Sequence, residues 1–332
     1  MEKLFTTHFL GNNKTNQEGN IMRRLFVIGN GFDLHHGLST SYNDFREYVL
    51  NTNPMVYSSI LSILSSIYTE EELKEWRDIE NKLSSLQKLD YESIFDDEIV
   101  SGATTDIEKS WYWYSPQCIA SQYVDPLFQF QKLFDKWVNS IKIEGASPNP
   151  YIQFSAEDDF LTFNYTDTLQ MLYGVTEERI SYLHGKKEGE RIFGYQHTWS
   201  DLPILPTIQV TEDEAEHGVE VDWRFEEAKE SLNKIPDMFD KDCNYLISKY
   251  SKIFYNLERY DQIIFMGWSL GKQDESYMQV ILSEIQDKNI KISVVYHLED
   301  DLERYRDYFN KVGYDDSEVQ YCTWESVEQV FK

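Results

Sequence analysis

Cysteine is scarce in this sequence. The 332 residues contain 3 cysteines, Cys118, Cys243 and Cys322, which lie far apart and form no C-x-x-C pair. That spacing excludes a disulfide-rich scaffold and a four-cysteine zinc module, and it fits a reducing compartment. We therefore expect a cytoplasmic protein.

Basic residues are also few, and long apolar runs are absent. The sequence has 31 Lys and Arg against 58 Asp and Glu, a formal net charge of −27. Contacts along a nucleic-acid backbone need clustered Lys and Arg, so we expect no broad nucleic-acid binding. A small nucleotide remains compatible as a partner, because single side chains and local amides act at short range. No apolar run approaches the length of a membrane span, so no membrane partner is expected.

Apolar runs predict the strands. Residues 1–21 are polar and lack the apolar segment of a signal peptide, so we expect a disordered leader there and a single α/β domain over 22–332. The β-rich runs are 24–29, 160–164, 179–183, 191–195, 261–267, 291–296 and 318–323. Several are continuous rather than alternating, which favours a parallel sheet covered on both faces.

Apolar residues at helical spacing dominate the rest of the chain. They predict helices at 42–50, 54–67, 70–89, 126–140 and 276–285. Most of the chain with this helical pattern lies in two predicted helical insertions, at about 46–150 and 205–255. We therefore predict an α/β protein with a Rossmann-like, mostly parallel sheet and an inserted helical cap.

The first predicted strand runs into a G-N-G turn. Gly29 and Gly31 flank Asn30, and Asp33 follows shortly after. A strand ending in such a turn can bring bare backbone N–H groups to a pyrophosphate or a ribose. The full G-x-G-x-x-G pattern fails, because Leu34 stands where the third glycine would be. Close packing is the alternative explanation for the two glycines.

Polar residues also follow three other predicted strands, and strand ends are where open α/β sheets bind ligands. Asn164 ends one strand, His184 precedes a glycine after another, and Gly267 and Ser269 follow a third. Each has a structural alternative: Asn164 as a turn residue, His184 as a histidine bonded to a carbonyl, and the last two as packing residues.

These motifs together resemble the AbiH proteins, a family linked to bacterial abortive infection against phage. The resemblance lies in I-G-N-G-F-D-L at 28–34, S-T-S-Y-N-D-F at 39–45, Trp76 with Glu80, and T-F-N-Y-T at 162–166. It implies an antiphage abortive-infection effector. The partner expected from it is a second copy of the chain or another defence protein.

A more distant resemblance is to sirtuin-like NAD-binding proteins. It implies a sirtuin-like sheet and cleavage of the nicotinamide–ribose bond of NAD, giving nicotinamide and ADP-ribose. Asn164 and His184 are the catalytic residues that it implies, because an asparagine can hold a ribose hydroxyl and a water, and a histidine can take a proton near neutral pH. The residues implied in NAD binding are Gly29, Asn30, Gly31, Asp33, Asp44, Phe45, Asp167, Gly267 and Ser269.

Two departures limit the sirtuin-like resemblance. Thr166 stands where those enzymes carry an acid, with Asp167 one residue further on, so the part played by Asp167 is open. The zinc module of protein deacetylases is missing, which argues against acyl-lysine removal, and no metal is expected. Asp44 and Phe45 also have a structural alternative, as a helix start and a core aromatic.

Two other functions fit parts of the sequence. The same pocket could belong to a non-catalytic sensor or assembly subunit that binds NAD or ADP-ribose. Residues 267–271 form a literal G-x-S-x-G, the pattern of a hydrolase nucleophile elbow, so a serine hydrolase using Ser269 is the second alternative. His297 is the only histidine after Ser269, and it lies at the end of the next predicted strand.

Overall fold

The computed structural model describes residues 22–100, 116–196, 205, 223–286 and 288–331. The predicted leader at 1–21 lies outside the described residues. Six strands form the sheet. In chain order they are β1 (Arg24–Ile28), β2 (Asp159–Thr162), β3 (Ile180–Tyr182), β4 (Gln262–Met266), β5 (Lys291–Tyr296) and β6 (Val319–Thr323).

The sheet is parallel throughout, with the strand order β3-β2-β1-β4-β5-β6. The chain builds one half outward from β1 and then returns to build the other half from β4. The order therefore reverses between β1 and β4, which is the switch point where ligands bind in sheets of this kind. The prediction of an α/β fold with a Rossmann-like parallel sheet is confirmed.

Both faces of the sheet are covered, as the continuous apolar runs predicted. Leu25 and Val27 of β1 pack into one hydrophobic cluster, whereas Phe26 and Ile28 pack into a second one. Side chains alternate between the two faces of a strand, so a strand buried on both sides must be apolar at every position. The first cluster includes residues of the helix Glu275–Ile285, and the second includes residues of Trp324–Phe331.

The remaining elements are helical. The α-helices are Asn30–His35, Tyr42–Thr52, Pro54–Leu64, Glu70–Leu73, Ile79–Leu83, Tyr91–Ser93, Pro116–Ser140, Thr168–Tyr173, Trp223–Asn233, Cys243–Lys249, Ser251–Phe254, Glu275–Ile285 and Glu299–Lys311. Shorter 3₁₀ segments are Ser84–Lys88, Glu177–Arg179, Pro236–Phe239, Leu257–Arg259, Lys272–Asp274, Asp316–Glu318 and Trp324–Phe331, and Ile94–Val100 is a π-helix. Within the described residues, no helix combines the length and the apolar character that a membrane crossing requires.

One predicted strand is wrong. Residues 191–195 form no strand, and Tyr195 makes only an isolated bridge with Asp240. Gly194 explains the difference, because its φ of 150° lies in the region that side-chain-bearing residues rarely adopt. A Cβ on Gly194 would also lie 2.0 Å from the carbonyl oxygen of Phe239.

The long helix predicted at 70–89 is interrupted. Glu70–Leu73 ends early, and Ile79–Leu83 begins a new helix that continues as a 3₁₀ segment. Between them, the Trp76 N–H donates to Oδ1 of Asn43 at 2.9 Å instead of to a helical carbonyl. This tertiary bond, together with burial of the Trp76 ring, replaces the local helical bonds.

The chain divides into two compact units. The sheet unit comprises the described residues of 22–41, 138–192 and 242–331, and the helical unit those of 42–137 and 193–241. The helical unit overlaps most of the insertions predicted at 46–150 and 205–255. Its core includes the ring of Phe45, which lies 5.8 Å from that of Trp76 and 5.1 Å from that of Phe130.

Candidate functional site

The glycine turn after β1 is a close crossing of two backbone segments. The Gly29 N–H donates to the Met266 carbonyl at 3.0 Å, and the Gly31 N–H donates to the Gly267 carbonyl at 2.8 Å. A Cβ on Gly29 would lie 2.5 Å from the Gly267 oxygen, and one on Gly31 would lie 2.7 Å from the Gly267 Cα. The expectation of bare amides is wrong for Gly29 and Gly31, because both N–H groups donate to carbonyl oxygens at the end of β4 and in the turn that follows it. Close packing accounts for both glycines.

Asp33 lies buried just beyond this turn. Its side chain is 1% exposed, and its Oδ2 accepts a 2.6 Å hydrogen bond from the Thr166 hydroxyl. Burial raises the pKa of Asp33 to about 6, against the opposing effect of the nearby polar side chains of Thr166, Thr168 and Asn164. Within the described part of the chain, Oδ1 of Asp33 accepts no hydrogen bond.

Asn164 lies beside Asp33, directly after β2. Its Nδ2 donates to the Gly29 carbonyl at 3.1 Å, which fixes the amide orientation and leaves Oδ1 as the second polar atom. The residue is 6% exposed, and among the described residues its Oδ1 has no hydrogen-bond donor. Asp33 and Asn164 therefore supply two buried acceptors without donors. Such atoms cost roughly 1–3 kcal/mol each, so a native fold retains them for a reason.

His184 occupies the matching position on the neighbouring strand. Thr162 of β2 is paired in register with Tyr182 of β3, and Asn164 and His184 each lie two residues further on. His184 is 4% exposed, and its Nε2 lies 3.5 Å from Oδ1 of Asp274. Parallel strands end at one edge, so Asn164 and His184 follow the same edge of the sheet. The sequence carried no signal for Asp274, which comes from the segment after β4.

The other predicted site residues of the sheet unit are less concentrated. The Asn30 side chain donates to the Thr40 carbonyl at 2.8 Å. Asp167 is half-buried before the helix Thr168–Tyr173, and burial raises its pKa. Ser269 is exposed, and its carbonyl oxygen accepts a 3.0 Å hydrogen bond from Arg304. Their assignment to an NAD site stays a prediction.

Asp44 and Phe45 belong to the helical unit, unlike the other predicted site residues. Asp44 lies in the first turn of the helix Tyr42–Thr52, and Phe45 is fully buried. The Phe45 ring contacts those of Trp76, Phe130, Phe134, Trp137 and Phe193. This geometry matches the alternative in which the pair is a helix start and a core aromatic.

The G-x-S-x-G segment lacks the backbone of a nucleophile elbow. Such an elbow holds its serine in a strained turn that leads straight into a helix. Here Gly267 has a φ of 67°, and Leu270, with a φ of 56°, is the one described non-glycine residue with a positive φ. The next α-helix begins only at Glu275, and His297 is exposed. These observations favour the packing role for this segment.

The adjacent histidines are engaged in packing and hydrogen bonds. His36 Nδ1 donates to the Phe32 carbonyl at 2.7 Å, so its Nε2 accepts from the Tyr173 hydroxyl at 2.6 Å. His35 Nε2 accepts from the Asn149 side chain at 3.0 Å, and the His35 ring stacks on Trp324. Burial lowers the pKa of both. The described residues contain no cluster of three or more His, Cys, Asp or Glu that could hold a metal ion.

A family model described as bacteriophage abortive infection AbiH matches residues 25–296. The match covers the sheet from β1 to β5 and includes Asp33, Asn164, His184 and Asp274. The comparison with curated proteins gave no match.

Proposed function

The chain belongs to the bacteriophage abortive infection AbiH family, and we propose that it acts in abortive infection by hydrolysing NAD. The reaction consumes NAD and one water, and it yields nicotinamide, ADP-ribose and a proton. Removal of a nucleotide on which all metabolism depends would stop the infected cell. The proposal takes its substrate from the sirtuin-like resemblance of the strand-end residues.

The observation that carries the proposal is the pair of buried acceptors, Oδ1 of Asp33 and Oδ1 of Asn164. A ribose diol offers two hydroxyl donors, and these would satisfy both atoms. The acceptors lie after β1 and β2, next to the switch point of the sheet. Their hydrogen-bonding requirement is therefore supplied by part of the proposed substrate.

The phosphates fit the turn less well than the ribose does. The Gly29 and Gly31 amides donate to Met266 and Gly267. A pyrophosphate would displace those bonds or rely on other donors. The proposal therefore rests on recognition of the ribose and not on a phosphate-binding loop.

Cleavage of the nicotinamide–ribose bond requires the protein mainly to position the ribose and the attacking water. Nicotinamide leaves as a neutral molecule and takes the electron pair of the broken C–N bond, while a water oxygen bonds to the ribose carbon. Asn164 would hold the ribose hydroxyl and the water, and His184 would accept the proton of that water and pass it to solvent. A positioned general base is typically worth about 10²–10⁴-fold in rate. An ionised Asp33 would place a negative charge near the positive ribose of the transition state.

Nicotinamide release from NAD by the purified full chain tests the proposal. The variants are Asn164→Ala and, as a matched control, Asn256→Ala, because Asn256 is exposed and its side chain donates to the nearby Lys252 carbonyl. We expect release by the wild type and by Asn256→Ala, and loss in Asn164→Ala.

Abortive-infection proteins can stay inactive until infection, so the assay includes protein recovered from phage-infected cells. The proposal fails if that protein releases no nicotinamide and Asn164→Ala still protects the cells. Saturable NAD or ADP-ribose binding without release would identify the non-catalytic sensor instead.

A further inference from the structure

Thr40 is a buried residue of the sheet unit that the proposed reaction does not use. It is 7% exposed, and among the described residues its hydroxyl has no hydrogen-bond partner. A buried hydroxyl without a partner costs free energy, which a valine of nearly the same shape would avoid. Packing alone therefore does not explain a threonine at this position.

The backbone of Thr40 is fixed beside the glycine turn. The side chain of Asn30, the middle residue of the G-N-G turn, donates to the Thr40 carbonyl at 2.8 Å. The Thr40 N–H donates to the Leu38 carbonyl at 2.9 Å, and the Leu38 N–H donates to the Asp33 carbonyl at 3.1 Å. Both backbone groups of Thr40 are thus engaged, and its hydroxyl is the group left to bind something else.

The glycine turn itself offers little to a phosphate. The N–H groups of Gly29 and Gly31 both donate to backbone carbonyls. Phosphate oxygens are strong hydrogen-bond acceptors, so a phosphate here needs a donor other than these two amides. Threonine hydroxyls are common donors to phosphate oxygens, and Asn30 keeps the one of Thr40 next to the turn.

The acceptors and the donor at this turn match different parts of a nucleotide. Oδ1 of Asp33 and Oδ1 of Asn164 can each accept a ribose hydroxyl, and both disfavour a phosphate beside them. Asn164 donates to the Gly29 carbonyl, whereas Thr40 is bonded to Asn30, so acceptor and donor are tied to adjacent residues of the turn. A nucleotide carries its ribose hydroxyls and its 5′-phosphate on one sugar, so it can meet both.

We propose that the Thr40 hydroxyl binds the diphosphate of NAD or ADP-ribose. Rotation about the Cα–Cβ bond sets the direction in which the hydroxyl donates, and it leaves the backbone bonds of Thr40 in place. This inference rests on the nucleotide site of the proposed function but not on cleavage of the nucleotide. Thr40 is a binding residue in it and takes no part in proton transfer.

Calorimetric titration of the purified full chain with ADP-ribose tests the contact, because ADP-ribose has the diphosphate and no nicotinamide bond to cleave. Thr40→Val removes the hydroxyl and nearly keeps the side-chain shape, whereas Thr40→Ser keeps the hydroxyl. Loss of a hydrogen bond to a charged group should weaken binding by Thr40→Val about 10-fold or more. Thr40→Ser should bind nearly as tightly as the wild type.

The matched control is Thr176→Val, because Thr176 is exposed and its side chain makes no capping bond at the 3₁₀ segment Glu177–Arg179. It should bind ADP-ribose as the wild type does. Without ligand, Thr40→Val should melt at the wild-type temperature or above it, since a buried unpaired hydroxyl is removed. Unchanged affinity in Thr40→Val, no binding by the wild type, or a lower melting temperature of ligand-free Thr40→Val would each overturn the proposal.

Inorganic pyrophosphate identifies the part of the ligand that Thr40 binds. It should compete with ADP-ribose for the wild type, and Thr40→Val should weaken pyrophosphate and ADP-ribose by similar factors. Pyrophosphate that competes equally well in the two proteins, or not at all, would overturn the assignment to the diphosphate.

Kinetics separate this inference from the proposed function. If NAD is hydrolysed, Thr40→Val should raise KM and leave kcat nearly unchanged, because the diphosphate contact is the same in the ground state and in the transition state. Nicotinamide release with an unchanged KM would refute the diphosphate contact and leave the hydrolysis. An affinity for ADP-ribose that depends on Thr40, without nicotinamide release, would refute the hydrolysis and leave the contact.

Discussion

The Thr166 hydroxyl donates a 2.6 Å hydrogen bond to Oδ2 of Asp33. Thr166 stands two residues after Asn164 in the segment that follows β2. The hydrogen bond therefore joins this segment to an acid that follows β1. Asp33 and Asn164 therefore share one buried cluster, although 133 residues separate Asp33 from Thr166.

Replacing Asp33 by asparagine should stabilise the fold at neutral and alkaline pH. Burial raises the Asp33 pKa from 3.8 to about 6, so between these values the folded state binds more protons than the unfolded state. Stability from this group is therefore full below pH 4 and lost as the pH rises through 6. At pH 8, Asp33→Asn should unfold with a free energy higher by up to about 3 kcal/mol. Chemical denaturation at pH 8 and pH 4 measures this.

The control for Asp33→Asn is Asp307→Asn, because Asp307 is exposed on the helix Glu299–Lys311. It should leave the unfolding free energy nearly unchanged at both pH values. A lower unfolding free energy of Asp33→Asn at pH 8 would show that burial of the ionised Asp33 does not destabilise the wild-type fold.

The neutral His35 should make stability fall on acidification. Burial lowers its pKa from 6.5 to about 4, so between these values the unfolded state binds more protons. Stability from His35 is present above pH 6.5 and declines as the pH falls toward 4. His35→Phe can keep the ring stacked on Trp324. The unfolding free energy of this variant should fall by about 1 kcal/mol less than that of the wild type between pH 6.5 and 4. This value allows for the partial exposure of the ring.

Asp33 titrates in an overlapping range with the opposite sign, so the difference between wild type and variant is the quantity to compare. Asp307→Asn, at an exposed carboxylate, is the control and should leave the slope between pH 4 and 6.5 nearly unchanged. A His35→Phe slope equal to that of the wild type would contradict the assignment.

Gly267 should tolerate no side chain. Its φ is 67°, and a Cβ there would lie 2.2 Å from the Phe32 nitrogen. Gly174 is a matched control, because it has a φ of 68° but none of the described residues places a heavy atom within 4 Å of the same position. Gly174→Ala should cost only the backbone strain, about 1–2 kcal/mol. Gly267→Ala should cost clearly more, above about 4 kcal/mol or with loss of folding. Equal thermal shifts in the two variants would show that the crossing at Gly267 is not tightly packed.

The sheet was predictable because burial on both faces forces apolar residues at every position of its strands. Local sequence patterns mispredict secondary structure where tertiary contacts determine the backbone conformation. Residues 191–195 have the composition of a strand, but Gly194 has a φ of 150° and a Cβ there would clash with the Phe239 carbonyl. The helix predicted at 70–89 is interrupted at Trp76, whose N–H donates to the side chain of Asn43, 33 residues earlier in the chain.

The candidate site was predictable only in part. Strand ends in a parallel sheet share one edge, so Asn164 and His184 could be placed together from their positions alone. The Gly29 and Gly31 amides could not be assigned, because their acceptors lie in the β4 turn. Asp274 also escaped prediction. An aspartate before a helix is normally interpreted as an N-cap, and only the structure shows that the Asp274 side chain makes no capping hydrogen bond.

The NAD content of phage-infected cells tests the central claim most directly. Cells carrying the wild-type chain, His184→Gln or no chain are infected together, and NAD and nicotinamide are measured by mass spectrometry through the first infection cycle. The account predicts that NAD falls and nicotinamide rises with the wild type, and that His184→Gln abolishes both changes together with protection. Protection with unchanged NAD, or equal NAD loss with His184→Gln, would contradict it.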